Sequence, residues 1–114
     1  MKTKYYYNGK LLRTTVVDSN SHWEYGIYNE IENEVTSYSP SYDKLANQIS
    51  ERINNINNII NKYNGFLARK VDEENNPVDN ETLSTYEKII ERYKELLEVA
   101  KKDKVVKLEK RISK

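Results

Sequence analysis

From residue 4 to about residue 39, apolar and polar side chains alternate with a period of two. From residue 40 onward they recur at steps of three and four. The first period belongs to strands with one buried face, the second to amphipathic helices. Asn8-Gly9 is the sharpest local signal, because a type I′ hairpin turn needs positive φ at both central positions. With that turn, Tyr7 faces Lys10, Tyr6 faces Leu11, Tyr5 faces Leu12 and Lys4 faces Arg13. Tyr5, Tyr7, Leu12, Thr14 and Val16 then share the inward face, and Lys4, Tyr6, Leu11 and Arg13 the outward one. After the polar link DSNS, the stretch HWEYGIYNEI puts Trp23, Tyr25 and Ile27 on one face and His22, Glu24 and Tyr28 on the other. Glu32-Asn33 turns the chain into a last short strand, EVTSYS. The expected sheet is a four-stranded antiparallel meander.

The helical half opens at Ser39-Pro40, with serine as cap and proline preset in the first turn. Tyr42, Ala46, Ile49, Ile53, Ile56, Ile60, Tyr63 and Leu67 form one heptad seam. Asn64-Gly65 is a candidate stop, and FLARKV either frays or continues the helix at a cost of ~1 kcal/mol for the glycine. DEENNPVDNE is the one clear loop. A second helix starts at Asp79 or Asn80, with its seam at Leu83, Tyr86, Ile90, Tyr93, Leu97 and Ala100. The phase then slips to Val105, Leu108 and Ile112, read as a local unwinding of the same helix. The lysines of the tail KKDKVVKLEKRISK suit a helix C-terminus.

The expected fold is therefore α+β. An N-terminal four-stranded antiparallel sheet precedes a long two-helix antiparallel coiled-coil hairpin. Residues 1–114 form a single domain, with 1–39 the sheet part and 40–114 the helical part. The two seams exceed what such a sheet can cover, which predicts a homodimer through the helices. The alternative is a monomer in which the seams satisfy each other.

Composition narrows the chemistry. The chain has 114 residues, 37% hydrophobic and 32% charged, with a net charge of +1. That balance disfavours a broadly basic nucleic-acid binder and a polyanionic DNA mimic. There is no cysteine, so no disulfide or thiolate chemistry is expected, in keeping with a reducing cytoplasm. No apolar run approaches the roughly 20 residues of a membrane span, and MKTKYYY lacks the apolar stretch of a signal peptide. His22 is the single histidine, which leaves no His-His metal pair. No glycine-rich nucleophile turn or phosphate loop surrounds any serine or lysine. Glu30, Glu32 and Glu34 lack the spacing of a calcium loop. No catalytic residue, metal or cofactor is expected.

Binding is the remaining class. Ten tyrosines and one tryptophan serve either as the packing face of a small sheet or as a platform for a base or a partner. Tyr6, Arg13, Trp23 and Tyr28 fall within one short region and are residue types that anchor interfaces. Arg13 opposite Lys4 calls for an anion, whether a glutamate of the chain, a phosphate or an acidic partner. Arg69-Lys70 is a second cationic spot. A nucleic-acid or nucleotide ligand stacked on sheet tyrosines is the alternative, against the net charge. A purely structural oligomerisation module is a further one.

The stretch YYYNGKLLRT, followed by HWEYGIY, resembles the start of small phage and mobile-element accessory proteins. Those open with a tyrosine-rich strand, an Asn-Gly-Lys turn, an Arg-Thr end and a further aromatic strand. The resemblance covers residues 4–28 and has no counterpart in the helical half. It implies a non-enzymatic, host-cytoplasmic protein that binds and sterically blocks a host protein. A defence nuclease complex, in the manner of an anti-CRISPR, is one such target. It carries over no functional residue.

Overall fold

The computed structural model describes residues 2–16 and 23–113. His22 and the link at residues 18–21 lie outside them. The fold is α+β, with two helices and two three-stranded antiparallel sheets. Elements run β1 (Lys2–Tyr7), β2 (Lys10–Val16), β3 (Tyr25–Asn29), β4 (Glu34–Ser39), α1 (Tyr42–Arg69), α2 (Asn80–Ala100), β5 (Asp103–Lys107) and β6 (Glu109–Ser113). The chain divides into two compact units, Met1–Ser50 with Lys102–Lys114, and Glu51–Lys101.

The first unit corrects the expected meander. Four strands do precede Ser39, but they do not form one sheet. One sheet has the order β2-β1-β6 and the other β4-β3-β5. The segment expected to prolong the second helix is instead two strands in succession, one for each sheet. The slip at Val105 marks the end of helical periodicity, and the β-branched pair Val105-Val106 suits a pleated surface better than a helix. Leu108 joins the two strands and donates its backbone N–H to the Glu24 carbonyl at 2.8 Å.

Asn8 and Gly9 both take positive φ, +50° and +77°, and form the expected turn. Tyr7 pairs with Lys10 and Tyr6 with Leu11. Beyond that the register slips: Tyr5 pairs with Arg13 and Lys4 with Thr14. Leu12 is thus the extra residue of a β-bulge, which sets two residues against one and re-aims the strand beyond it. Thr14, expected inside, is exposed.

The sheets share an interior. Tyr5, Val106 and Leu108 are buried there, joined by Tyr7, Leu12, Trp23, Tyr28 and Tyr38. β3 is the centre of its sheet and is covered on both sides. Gly26 on it admits Val35 so closely that a Cβ would lie 2.6 Å from Val35 Cγ1. On the other side of β3, Tyr25 meets the Tyr42 ring edge-on at 5.6 Å, and Ile27 is buried. Asn29 ends the strand fully buried. Its Oδ1 accepts the N–H groups of Ile31 and Glu32, both at 3.0 Å, and its Nδ2 donates to Asp103 Oδ1 at 2.7 Å. One side chain therefore satisfies a tight turn and ties it to β5.

α1 begins one turn-former later than expected. Ser41, not Ser39, accepts the Lys44 N–H at 3.2 Å, while Ser39 Oγ accepts that of Ser41 at 3.0 Å. The helix runs through Gly65 and ends at Lys70, which takes the left-handed position with φ +58°. Val71 N–H then closes on the Phe66 carbonyl at 3.2 Å, the closure that ends many helices. Asp72 Oδ1 orders the loop by accepting from Glu74 and Asn76, each at 2.9 Å. Asp79 caps α2 through the Thr82 N–H at 2.8 Å; hydrogen bonding from the Thr82 side chain first, and then from this N–H, holds its carboxyl below the usual aspartate range.

The second unit is a helical hairpin. Tyr63 and Phe66, late in α1, touch the Tyr86 ring early in α2 at 5.5 and 5.9 Å, so the helices run antiparallel. Ile56, Ile60, Ile90 and Ala100 are its buried centre. These are seam positions, as the heptad steps predict.

Candidate binding surfaces

The six residues expected to form a binding surface separate into four places. The bulge at Leu12 brings Arg13 round to the aromatic side of its sheet. Its guanidinium lies 4.9 Å from the centre of the Trp23 ring and 5.6 Å from that of Tyr38. Beneath it, Trp23 packs on Tyr38 at 5.2 Å and on Tyr5 at 5.3 Å. Tyr5 is fully buried, Trp23 and Tyr38 are half-buried, and Arg13 is exposed. The result is a column from core to solvent: a buried tyrosine, two half-covered rings and a cation on top. Burial pushes the Tyr38 hydroxyl above the ordinary tyrosine value, while the Arg13 charge pulls it back. Arg13 thus finds its partner in ring faces, not opposite Lys4. Cation–π contacts of this kind contribute about 0.5–1 kcal/mol at exposed sites.

Tyr28 lies away from Tyr6 and stacks against Tyr7, a residue of the inward face, at 4.9 Å. Its hydroxyl donates to Asn33 Oδ1 at 2.8 Å, and Lys10 Nζ donates to the Asn33 carbonyl at 3.1 Å. With Asn8 and Leu12 these residues line a cavity of about 190 Å³ between the two turns. Lys104 lies 5.6 Å from the centre of the Tyr28 ring and pairs with Glu30 at 3.0 Å. The hydrogen bond to Glu30 raises the Lys104 ammonium above its ordinary value.

Tyr6 stays outward and half-buried. Its company is a residue that helical periodicity places at the end of a helix: the Arg111 guanidinium, 4.5 Å over the ring. Arg111 Nε donates to Glu109 Oε1 at 3.1 Å. Tyr38 and Arg111 are the binding-type residues that pattern reading misses. The β-branched pair at 105–106 is the signal for a strand, and hence for Arg111 on a sheet.

Arg69 and Lys70 belong to the second unit and are exposed. Arg69 Nε donates back to the Gly65 carbonyl at 3.3 Å, and Lys70 supplies the helix-ending conformation. Both have structural employment at the end of α1. Beside them, Tyr63, Phe66, Tyr86, Asp72, Glu73 and Glu74 line an open cavity of about 340 Å³. Lys62 bridges to Glu73 at 2.6 Å.

Among the described residues, no group of three or more His, Asp or Glu side chains is placed to share a metal ion. No helix among them is long and apolar enough to cross a membrane. No family model, curated protein or solved structure matches the chain.

Proposed function

We propose that this is a non-enzymatic binding protein that occludes a partner protein through the Arg13–Trp23–Tyr38 surface. The observation that carries this reading is the column itself. Arg, Trp and Tyr are the residues enriched at the energetic centres of protein interfaces. Here all three stand together, with the cation exposed and the rings half-covered. The rings are braced from below by buried Tyr5, so they lose little rotamer freedom when a partner arrives. The phage-like opening supports a host protein as the partner, a defence complex being the leading class, with steric blocking as the mechanism. The same reading includes pairing of two copies through the hairpins. Ile53, Tyr63, Tyr93, Leu96 and Leu97 remain only half-buried in a single chain.

The test is affinity capture from a defence-bearing host with tagged wild-type, Arg13→Ala, Arg13→Lys and Glu91→Ala proteins, each checked by near-UV circular dichroism. A discrete partner should come down with the wild type and Glu91→Ala. Arg13→Ala should weaken it by about 30-fold, as loss of a contact worth roughly 2 kcal/mol does. Arg13→Lys should resemble Arg13→Ala, because an ammonium does not stack as a planar guanidinium does. Equal capture by all four would remove the surface, and no capture at all would remove the reading.

A further inference from the structure

The outward face of the β2-β1-β6 sheet is a different kind of surface, and it concentrates positive charge. The strands of this sheet carry a net +5 beside +1 for the whole chain, with Lys10, Arg13 and Lys110 on the ring side and Lys2, Lys4 and Arg111 on the outward face against one acid, Glu109, a net +2 there. The remainder of the protein is therefore acidic overall.

Strand periodicity sends Lys2, Lys4 and Tyr6 to one side of β1. The register sets Arg111 opposite Lys4 and Glu109 opposite Tyr6 from β6, and Thr14 and Leu11 opposite the same two from β2. Lys4 and Arg111 are thus like charges directly facing each other, an arrangement that destabilises a sheet. Among the described residues neither Lys2 nor Lys4 makes an ion pair. Glu109 engages only the Nε of Arg111, which leaves the two terminal nitrogens of the guanidinium to donate outward. Leu11, 48% exposed, stands on this face opposite Tyr6.

We infer that this face binds single-stranded nucleic acid, a second activity on a surface separate from the Arg13 column. Lysine is depleted at protein–protein interfaces, whose centres are apolar and desolvated. This face has lysines and no apolar centre. Phosphates are the groups that Lys and Arg neutralise in nucleic-acid complexes, and base-stacking planes accompany them when the strand is single. The Tyr6–Arg111 stack is such a plane, since unpaired bases continue stacks on both aromatic rings and guanidinium groups. A shallow three-stranded face also suits a splayed strand better than a duplex, whose major groove admits a protruding helix or ribbon. Lys2, Lys4 and Arg111 would hold phosphates, and the Tyr6–Arg111 plane a base. The chain's near-neutral net charge hides this patch because the acids lie elsewhere.

The experiment is fluorescence anisotropy of a labelled oligothymidylate strand of about 15 nucleotides, a length that spans one such platform, titrated with the full chain. Three neutralised phosphates give a log–log salt slope near −2 for single strands, so affinity should fall about 20-fold between about 50 and about 200 mM salt. Lys4→Gln with Arg111→Gln should remove most binding. Tyr6→Ala should weaken it about tenfold, the scale of one lost base stack. Glu109→Gln should tighten it. Arg13→Ala should leave it unchanged while losing the partner protein, which separates this inference from the protein-binding reading. Near-UV circular dichroism confirms that each variant is folded. Absence of binding at low salt would overturn the inference. So would unchanged affinity of folded Lys4→Gln/Arg111→Gln protein, or equal affinity for the duplex or for polyglutamate.

Discussion

Around Tyr5, the first unit gathers side chains from positions 5–12, 23–38 and 106–108. Around Ile90, the second unit gathers its own from two neighbouring helices, at 53–67 and 90–100. One core is drawn from segments about a hundred residues apart, the other from a single hairpin. Long closures cost chain entropy before any contact compensates for it. The first unit therefore leans on a few large rings, with Tyr5 packed on Trp23 and Tyr38 and left with no exposed surface. The second spreads its stability over many half-buried seam residues. Burial concentrated at one point makes a unit brittle, and burial spread along a seam makes it tolerant.

The largest expected effect breaks the units apart. Tyr5→Ala should cost the first unit about 3–5 kcal/mol, as aromatic-to-alanine changes in cores do. Near-UV circular dichroism of the Trp23 and Tyr38 rings should melt early, while the helical signal at the far-UV end persists. Ile90→Ala should cost the second unit about 2–5 kcal/mol and show the converse. A single transition lowered equally by both substitutions would merge the two units into one.

A smaller effect uses one substitution with opposite signs. Gly26→Ala sets a methyl group 2.6 Å from Val35 Cγ1 and 3.2 Å from the Ser37 carbonyl oxygen, and overpacking of that kind costs about 1–3 kcal/mol. Adding Val35→Ala should recover part of the loss. Gly65→Ala meets nothing nearer than an Arg69 nitrogen at 3.7 Å and should stabilise the helix by about 1 kcal/mol. Chemical denaturation of each variant reads both values. Two changes of the same sign would mean that the close packing at β3 relaxes freely.

The smallest effect lies at the α2 cap. Hydrogen bonds from Thr82, its side chain first and its backbone N–H second, lower the Asp79 carboxyl. A group lowered on folding stabilises the folded state above its ordinary value, near 3.9, and that contribution is lost as pH falls through the folded one. Asp79→Ala should lower the melting temperature of the hairpin at neutral pH. The gap from wild type should shrink on acidification below the ordinary aspartate range. Asp79→Asn, which keeps a capping oxygen, should lose less.

The helices were legible because their signals are local. The steps from Ile53 to Leu67 and from Leu83 to Ala100 give both the elements and the buried faces. The Asn8-Gly9 turn was legible for the same reason, and with it the two strand pairs nearest the turn. The bulge at Leu12 was not, because nothing in LLRT distinguishes a residue that pairs from one that does not. That single residue moved Arg13 to the ring side. Of the expected cluster, Arg13 and Trp23 do meet, while Tyr6 and Tyr28 end on opposite sides of the sheets. β5 and β6 escaped because their pairing partners lie far off in sequence, and a Val, Leu, Ile series fits either period over so short a run. With β6 unseen, Arg111 and the basic face were unseen too.

The pairing of Thr3 with Ile112 has a consequence in time. During synthesis β1 leaves the ribosome with one neighbour, β2 (Lys10–Val16), and waits for about 95 more residues before β6 (Glu109–Ser113) exists. At roughly 5–20 residues per second that interval is about 5–20 s. The α1–α2 hairpin is complete before it ends. Until then both two-stranded hairpins present an open edge and uncovered tyrosines to solvent, a state that chaperones recognise and that stalled translation would prolong.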